Sequence, residues 1–241
     1  MNNNKMIIFW LAILLVVAGL FTFRMASQSG QAEPGWSEEI DRNYARYDGK
    51  DGILVWDFEL TERGGGTFKS SEMGGSVWVA SFFFASCPSS CRQQNQTVKQ
   101  LHATWAEKDV TFVCISCDPE RDTPSRLRQY ALEFTDDHDH WKFLTGHLKY
   151  IRKIGAERFE LPVKRQTHAD RLVVVDKWGN TRGSFNWHDT DKVLEMELLI
   201  GLLLKEESEP DEYIQKREQR QKREQRQETI RQTKEDGSIE L

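Results

Sequence analysis

Three stretches rich in aromatic and β-branched residues, SVWVASFFFA (residues 76–85), VTFVCIS (110–116) and RLVVVD (171–176), are strand-length runs with almost no polar alternation. A strand of that kind must be covered on both faces, which is the situation of the inner strands of an α/β sheet. The segments between them change period. In SCRQQNQTVKQLHATWAEK, Val98, Leu101 and Trp105 recur at helical spacing. After the second run Thr123 is a cap, Pro124 takes the first helical position, and Leu127, Ala131 and Phe134 form a stripe. A third helix is marked by Leu148, Ile151 and Ile154 and is expected to stop at Gly155. The Gly179-Asn180 turn predicts a hairpin joining residues 173–175 to 183–187. A last helix, capped at Thr190, carries Val193, Leu194, Leu198, Leu199 and Leu202. A β-α-β unit, a connecting helix and a β-β-α ending make a thioredoxin-like α/β sandwich. Residues 53–60 with the turn Gly64-Gly65-Gly66 predict an extra N-terminal β-hairpin.

The two ends of the chain are of other kinds. Residues 6–23, MIIFWLAILLVVAGLFTF, are 18 residues without a charge between Lys5 and Arg24, enough to cross a bilayer as one transmembrane helix. A cleaved signal peptide is the competing reading, but its apolar region is usually shorter and ends in a small-residue site that FRMASQSGQA does not supply well. Either way the rest of the chain is exported. The expectation is a single-pass anchor in a bacterial inner membrane (residues 1–24), a polar linker (25–48), and a domain (49–205) facing the oxidising periplasm. Residues 206–241 repeat QKREQR twice in succession with almost no apolar residue. This tail reads as a solvated or fraying charged helix with nothing to bury, or as disorder by default; a partner-binding tail is the alternative. The formal net charge of −5 disfavours a nucleic-acid surface, and 13 Phe with 8 Trp exclude disorder throughout. Four Cys are too few for a disulfide scaffold in a domain of this size, so chemistry is the better reason for them.

Cys87-Pro88-Ser89-Ser90-Cys91 follows the first core strand and opens its helix, at the carboxyl end of a strand where α/β sites form. Thiols four residues apart at a helix start lie on one face, and the helix N-terminus favours thiolate. Such a pair serves disulfide exchange and soft-metal binding alike; a structural disulfide or two buried thiols is the plain alternative. Six His compete for a third ligand position: His102 on a helix surface, His138 and His140 in the acidic loop DDHDH, His147 at a helix start, His188 after the last strand, and His168 just before RLVVVD. Cys114 and Cys117, at i and i+3 on one strand, must point to opposite faces and cannot chelate one ion together; Cys117 is a candidate resolving thiol or a small core residue.

The strings FFFASCPSSC, CISCDPERDTP, WKFLTG and THADRLVVVDKWGN resemble, in order and spacing, the SCO/SenC family of membrane-anchored copper proteins that help assemble cytochrome c oxidase. The likeness covers about 150 residues, from near Trp56 to the last helix. It implies a thioredoxin-like fold and copper ligands at Cys87, Cys91 and His168, the last standing 11 residues before the hairpin glycine Gly179 as the family's histidine does. Ser89, Arg92 and Thr167 stand where the family usually has Asp, Pro and Asp, which changes the groups that orient the ligands and set thiolate basicity.

Three functions follow as expectations. The first is a copper chaperone holding Cu(I) on Cys87, Cys91 and His168 and delivering it to the copper-bearing subunit of cytochrome c oxidase, or to another copper or thiol protein. The second is a membrane-anchored thiol-disulfide oxidoreductase that uses the redox pair Cys87 and Cys91 on a partner's cysteines and leaves His168 dispensable. The third is an interaction module acting through its tail. A peroxidase is weaker still, because FFFASCPSSC lacks the Thr-x-x-Cys arrangement expected of a peroxidatic Cys.

Overall fold

The structure is a computed structural model that describes residues 57–235. The expected anchor, the linker, the first residues of the predicted N-terminal hairpin and residues 236–241 lie outside the described residues. Among the described residues no helix is long and apolar enough to cross a membrane.

Seven strands form one sheet: β1 (Glu59–Glu62), β2 (Thr67–Lys69), β3 (Trp78–Phe83), β4 (Thr111–Ser116), β5 (Trp141–Thr145), β8 (Arg171–Val175) and β9 (Thr181–Asn186), in the order β2-β1-β5-β4-β3-β8-β9. The three inner strands β3, β4 and β5 run parallel, with Ser81 beside Cys114 and Cys114 beside Phe143. β8 closes antiparallel on β3, β9 on β8, and β1 on β5. The parallel strands are joined through α1 (Ser90–Trp105) and α2 (Pro124–Ala131); α3 (Leu148–Lys153) follows β5, and α4 (Thr190–Leu203) follows β9. A separate two-stranded ribbon, β6 (Val163–Lys164) with β7 (Thr167–His168), precedes β8.

Every residue of β3 and β4 is buried, because alternate side chains enter two different cores. Val79, Phe83, Phe112 and Cys114 pack under α1, α2 and α4, whereas Trp78, Ala80, Phe82, Val113 and Ile115 pack against α3, Phe159 and Val163 on the other face. This double cover is the reason those strands contain no alternation of polar residues. Cys114 and Cys117 fall in the two separate cores, as a period of two demands.

Several local expectations are corrected. Gly155 does not end the third helix, which continues as a π-turn over Ile154–Arg158. A Cβ at Gly155 would sit 2.5 Å from Val163 Cγ2 and 3.0 Å from the Leu161 carbonyl oxygen, so the glycine is there for close approach. The cap of α4 is Asp189, whose carboxylate accepts from the N–H groups of Asp191 and Lys192, and Thr190 is the first helical residue. The face α4 buries is Met196, Ile200 and Leu203; Leu194, Leu198 and Leu202 point outward. β5 has no counterpart in the hydropathy reading, since WKFLT is short and carries a lysine.

Among its described residues the tail is helical and largely exposed, as the reading of a solvated charged helix expects, but its start is held. It forms α5 (Asp211–Glu235), and its approach is anchored to the β8–β9 hairpin. Glu209 is nearly buried, pairs with Arg217 at 2.7 Å and accepts from Asn180 at 2.8 Å. Arg182 donates to both carboxylate oxygens of Glu206 (2.7 and 2.9 Å) and lies over the Tyr213 ring.

Candidate functional site

β3 ends at Phe83, and four residues later Cys87 precedes α1. The first-turn N–H groups of a helix have no partners within it. Here the cap residue Ser89 makes no side-chain bond to them. The Cys87 sulfur takes that place, accepting from the Cys91 N–H at 3.4 Å and lying 3.4 Å from Ser90 Oγ. Burial opposes ionisation of Cys87, but the Ser90 hydroxyl and the N–H groups of Cys91 and Ser89 outweigh it and hold the thiol below the ordinary cysteine value. Cys91, fully buried one helical turn on, is the opposite case: burial drives its pKa far upward. The pair is therefore asymmetric, with an accessible, activated sulfur and a buried, protonated one.

His168 is the histidine brought to the pair. It sits in β7, which leads into β8 and hence lies at the carboxyl end of the neighbouring β3. Its Nε2 is 3.2 Å from Cys91 Sγ. Its Nδ1 donates to the Ala169 carbonyl at 3.0 Å, which leaves the Nε2 lone pair for the sulfur or a metal. Burial disfavours the imidazolium, against the Ala169 carbonyl and Asp170, and the net pKa is lowered. The Phe84 ring stands edge-on to the imidazole at 6.2 Å. His102, His138 and His140 are drawn elsewhere: His102 Nε2 pairs with Asp137 at 2.8 Å, His140 with the same carboxylate at 3.4 Å, and His138 Nδ1 accepts from the buried Arg63. His147 caps α3, and His188 stacks on Trp187 beside Asp170.

Two carboxylates missed in the sequence hold the two halves of this site together. The loop from β4 to α2 contributes Asp118 and Asp122, both with no exposed surface. Asp122 Oδ2 accepts from the Ala85 N–H (2.9 Å) on the cysteine side and from Ser116 Oγ (2.6 Å). Asp118 accepts from Gln166 Nε2 (2.7 Å) and Arg165 Nε (3.3 Å), the two residues that turn β6 into β7. Gln166 has a left-handed φ of 53°, a conformation costly to a non-glycine residue unless its surroundings impose it. Its N–H bond to the Cys117 carbonyl and its side-chain bond to Asp118 do so. The string DPERD carried this signal: two acids four apart, just past a buried strand end, call for buried donors. Cys117 itself is buried and its pKa is pushed up to about 12 by desolvation. Cys114 is bound into the core by Ser81, Asn95 and Trp141.

Among the described residues no three His, Cys, Asp or Glu side chains stand close enough together, as they are placed, to hold a metal ion. Cys87, Cys91 and His168 nevertheless fit copper by donor chemistry: two sulfurs and an imidazole nitrogen form a soft set.

A parallel-centred sheet with an asymmetric dithiol at a strand-to-helix junction defines a thioredoxin-like dithiol protein with a neighbouring imidazole. Residues 48–198 match the SCO1/SenC family. The chain belongs to that family. It is 27% identical over 119 residues to the SCO1 protein homolog of Bacillus subtilis (strain 168), covering 48% of this chain and 62% of that one. Two solved structures share the fold. One is BsSco, described as a member of the Sco family of cytochrome c oxidase assembly proteins with a disulfide switch (TM-score 0.53, 24% identity, 58% of this chain and 88% of that one). The other is Bradyrhizobium japonicum ScoI with copper bound (TM-score 0.50, 23% identity, 59% and 95%). The chain spans roughly three-fifths of that Bacillus relative's length.

Proposed function

We propose that this chain is a membrane-anchored copper chaperone that takes Cu(I) as cargo on Cys87, Cys91 and His168 and delivers it to the copper centre of a cytochrome c oxidase subunit. The observation that carries the reading is the approach of His168 Nε2 to Cys91 Sγ at 3.2 Å, across the helix start that holds Cys87. Sulfur and imidazole suit Cu(I), and three ligands leave a side open to an incoming ligand from the acceptor. The partly exposed Cys87 is the ligand an acceptor thiol reaches first. The copper-bound relative and the oxidase-assembly family support cargo and acceptor. The 18 uncharged residues at 6–23 and the polar segment 25–48 support a single-pass anchor with the domain on the periplasmic side of a bacterial inner membrane. The test is transfer: full-length chain loaded with Cu(I) in detergent is mixed with the copper-free soluble domain of an oxidase copper subunit, and metal is followed after separation. Copper should move to the acceptor; copper that stays, or moves equally from a His168→Ala variant, contradicts the reading.

The asymmetric pair also favours a dithiol reductase. The Cys87 thiolate attacks one sulfur of a partner disulfide, and the partner's other sulfur leaves as a thiolate and takes a proton. Cys91 then loses its proton and attacks Cys87 Sγ, which frees the reduced partner and leaves a Cys87–Cys91 disulfide. In that reading the reductase activity survives His168→Ala.

A further inference from the structure

Helix α4 is apolar on two sides. Its inner face is Met196, Ile200 and Leu203, yet Leu194, Leu198 and Leu202 on its outer face are 55%, 63% and 62% exposed. Scattered exposed leucines need no explanation, but three in a row at a spacing of four make one continuous stripe along the helix. A helix hydrophobic all round is ordinarily covered all round.

The ends of the stripe identify what covers it. Taking Leu198 as a centre, Leu194 and Leu202 lie four residues to either side, and the exposed Asp191 and Lys205 lie seven to either side. Seven residues are two helical turns, so both charges fall on the leucine stripe, Lys205 in the turn that continues α4. In an antiparallel pair of such helices about a two-fold axis at Leu198, each Leu194 meets the partner copy's Leu202. Each Asp191 then meets an opposite charge, Lys205 of the other copy. A parallel pairing would set Asp191 against Asp191. We infer that the outer face of α4 is a self-complementary contact on which a second copy of this chain docks, antiparallel, through Leu194, Leu198 and Leu202 with Asp191–Lys205 pairs at both ends. One helix face about 21 Å long is smaller than the roughly 1,200–2,000 Å² buried in stable complexes, so the contact is reversible and concentration-dependent. This inference is independent of what the dithiol site carries.

The test is the mass of the full chain by sedimentation equilibrium in density-matched detergent over a range of concentrations. The wild type should move from one to two copies per particle as concentration rises. Leu198→Glu should stay at one copy at every concentration with an unchanged far-ultraviolet spectrum, because the side chain is exposed. Asp191→Lys and Lys205→Asp should each weaken association, and the two together should restore it. A wild type that stays at one copy throughout would overturn the proposal. So would association indifferent to Leu198→Glu, which points to the apolar N-terminal segment. Leu198 dependence without rescue by the double exchange would overturn the antiparallel Asp191–Lys205 pairing and mean that the two copies meet in another register.

Discussion

The chemistry of the site rests on what each sulfur touches. Cys87 borrows the unpaired N–H groups of a helix start and the Ser90 hydroxyl, whereas Cys91 is enclosed. At neutral pH iodoacetamide should therefore label Cys87 first and leave Cys91, Cys114 and Cys117 untouched in the folded protein, as peptide mass mapping would read. Removing one hydrogen bond worth about 1 kcal/mol should slow that labelling roughly fivefold in Ser90→Ala; an unchanged rate would mean that the hydroxyl does not hold the thiolate. Asp118 acts at one remove, through Gln166 and Arg165 onto the turn before His168. Asp118→Asn should weaken copper binding about 10–100-fold, the usual cost of losing a group that orients a ligand, while the labelling of Cys87 stays as in the wild type. Equal loss of both would indicate a general collapse of the site. The pair Cys87 and Cys91 was legible in the sequence because spacing and position at a strand end suffice to place it. His168 was not legible from spacing, since six histidines competed; the resemblance singled it out, and the structure's reason is the β6–β7 ribbon, a two-residue turn without glycine that no composition signal announces.

At the scale of elements, loops pinned by carboxylates do what caps and glycines were expected to do. Asp137 in the DDHDH loop accepts from the N–H groups of Asp139 and His140 and pairs with His102. Burial opposes its charge, but those bonds prevail and hold its pKa below the ordinary carboxylate value. A depressed carboxylate stabilises the fold above its unfolded pKa, near 4, and that contribution fades as pH falls through the folded value. Asp137→Asn should thus cost about 1–2 kcal/mol in urea unfolding at pH 7, and the difference from wild type should shrink below pH 4. A cost constant with pH would mean that shape rather than charge holds the loop. The inner strands and their helices were readable because double cover leaves an unmistakable apolar run. The inner face of α4 was not, because leucines on both sides erase the periodicity from which a face is read. Neither was the anchored stretch before α5: Glu206 and Glu209 look like any other tail acids until Arg182, Asn180 and Arg217 are brought to them. A chain ended after Pro210 should keep its copper site and nearly its full stability. One ended after Lys205 should lose a further 1.5–3 kcal/mol or so, the worth of charged hydrogen bonds such as those Arg182 makes to Glu206. Equal melting of the two truncations would show that the Arg182 pairs contribute nothing.

For the whole molecule, the sheet order brings three separate chain segments to one end of the inner strands: the end of β3 with its dithiol, the end of β4 with Asp118 and Asp122, and the ribbon before β8 with His168. The parallel β3–β4 pair and the antiparallel β3–β8 pair place a cysteine loop and a histidine ribbon some 80 residues apart within 3.2 Å. Membership in the SCO1/SenC family and the soft donor set both point to copper. The most direct measurement is the copper content of the full-length chain after anaerobic loading with Cu(I) and removal of excess metal, wild type beside His168→Ala. The account predicts one copper per wild-type chain and its loss or marked loosening in the variant. Absence of copper from the wild type, or copper held as tightly without His168, would contradict the Cys87–Cys91–His168 site and leave the dithiol as a redox pair.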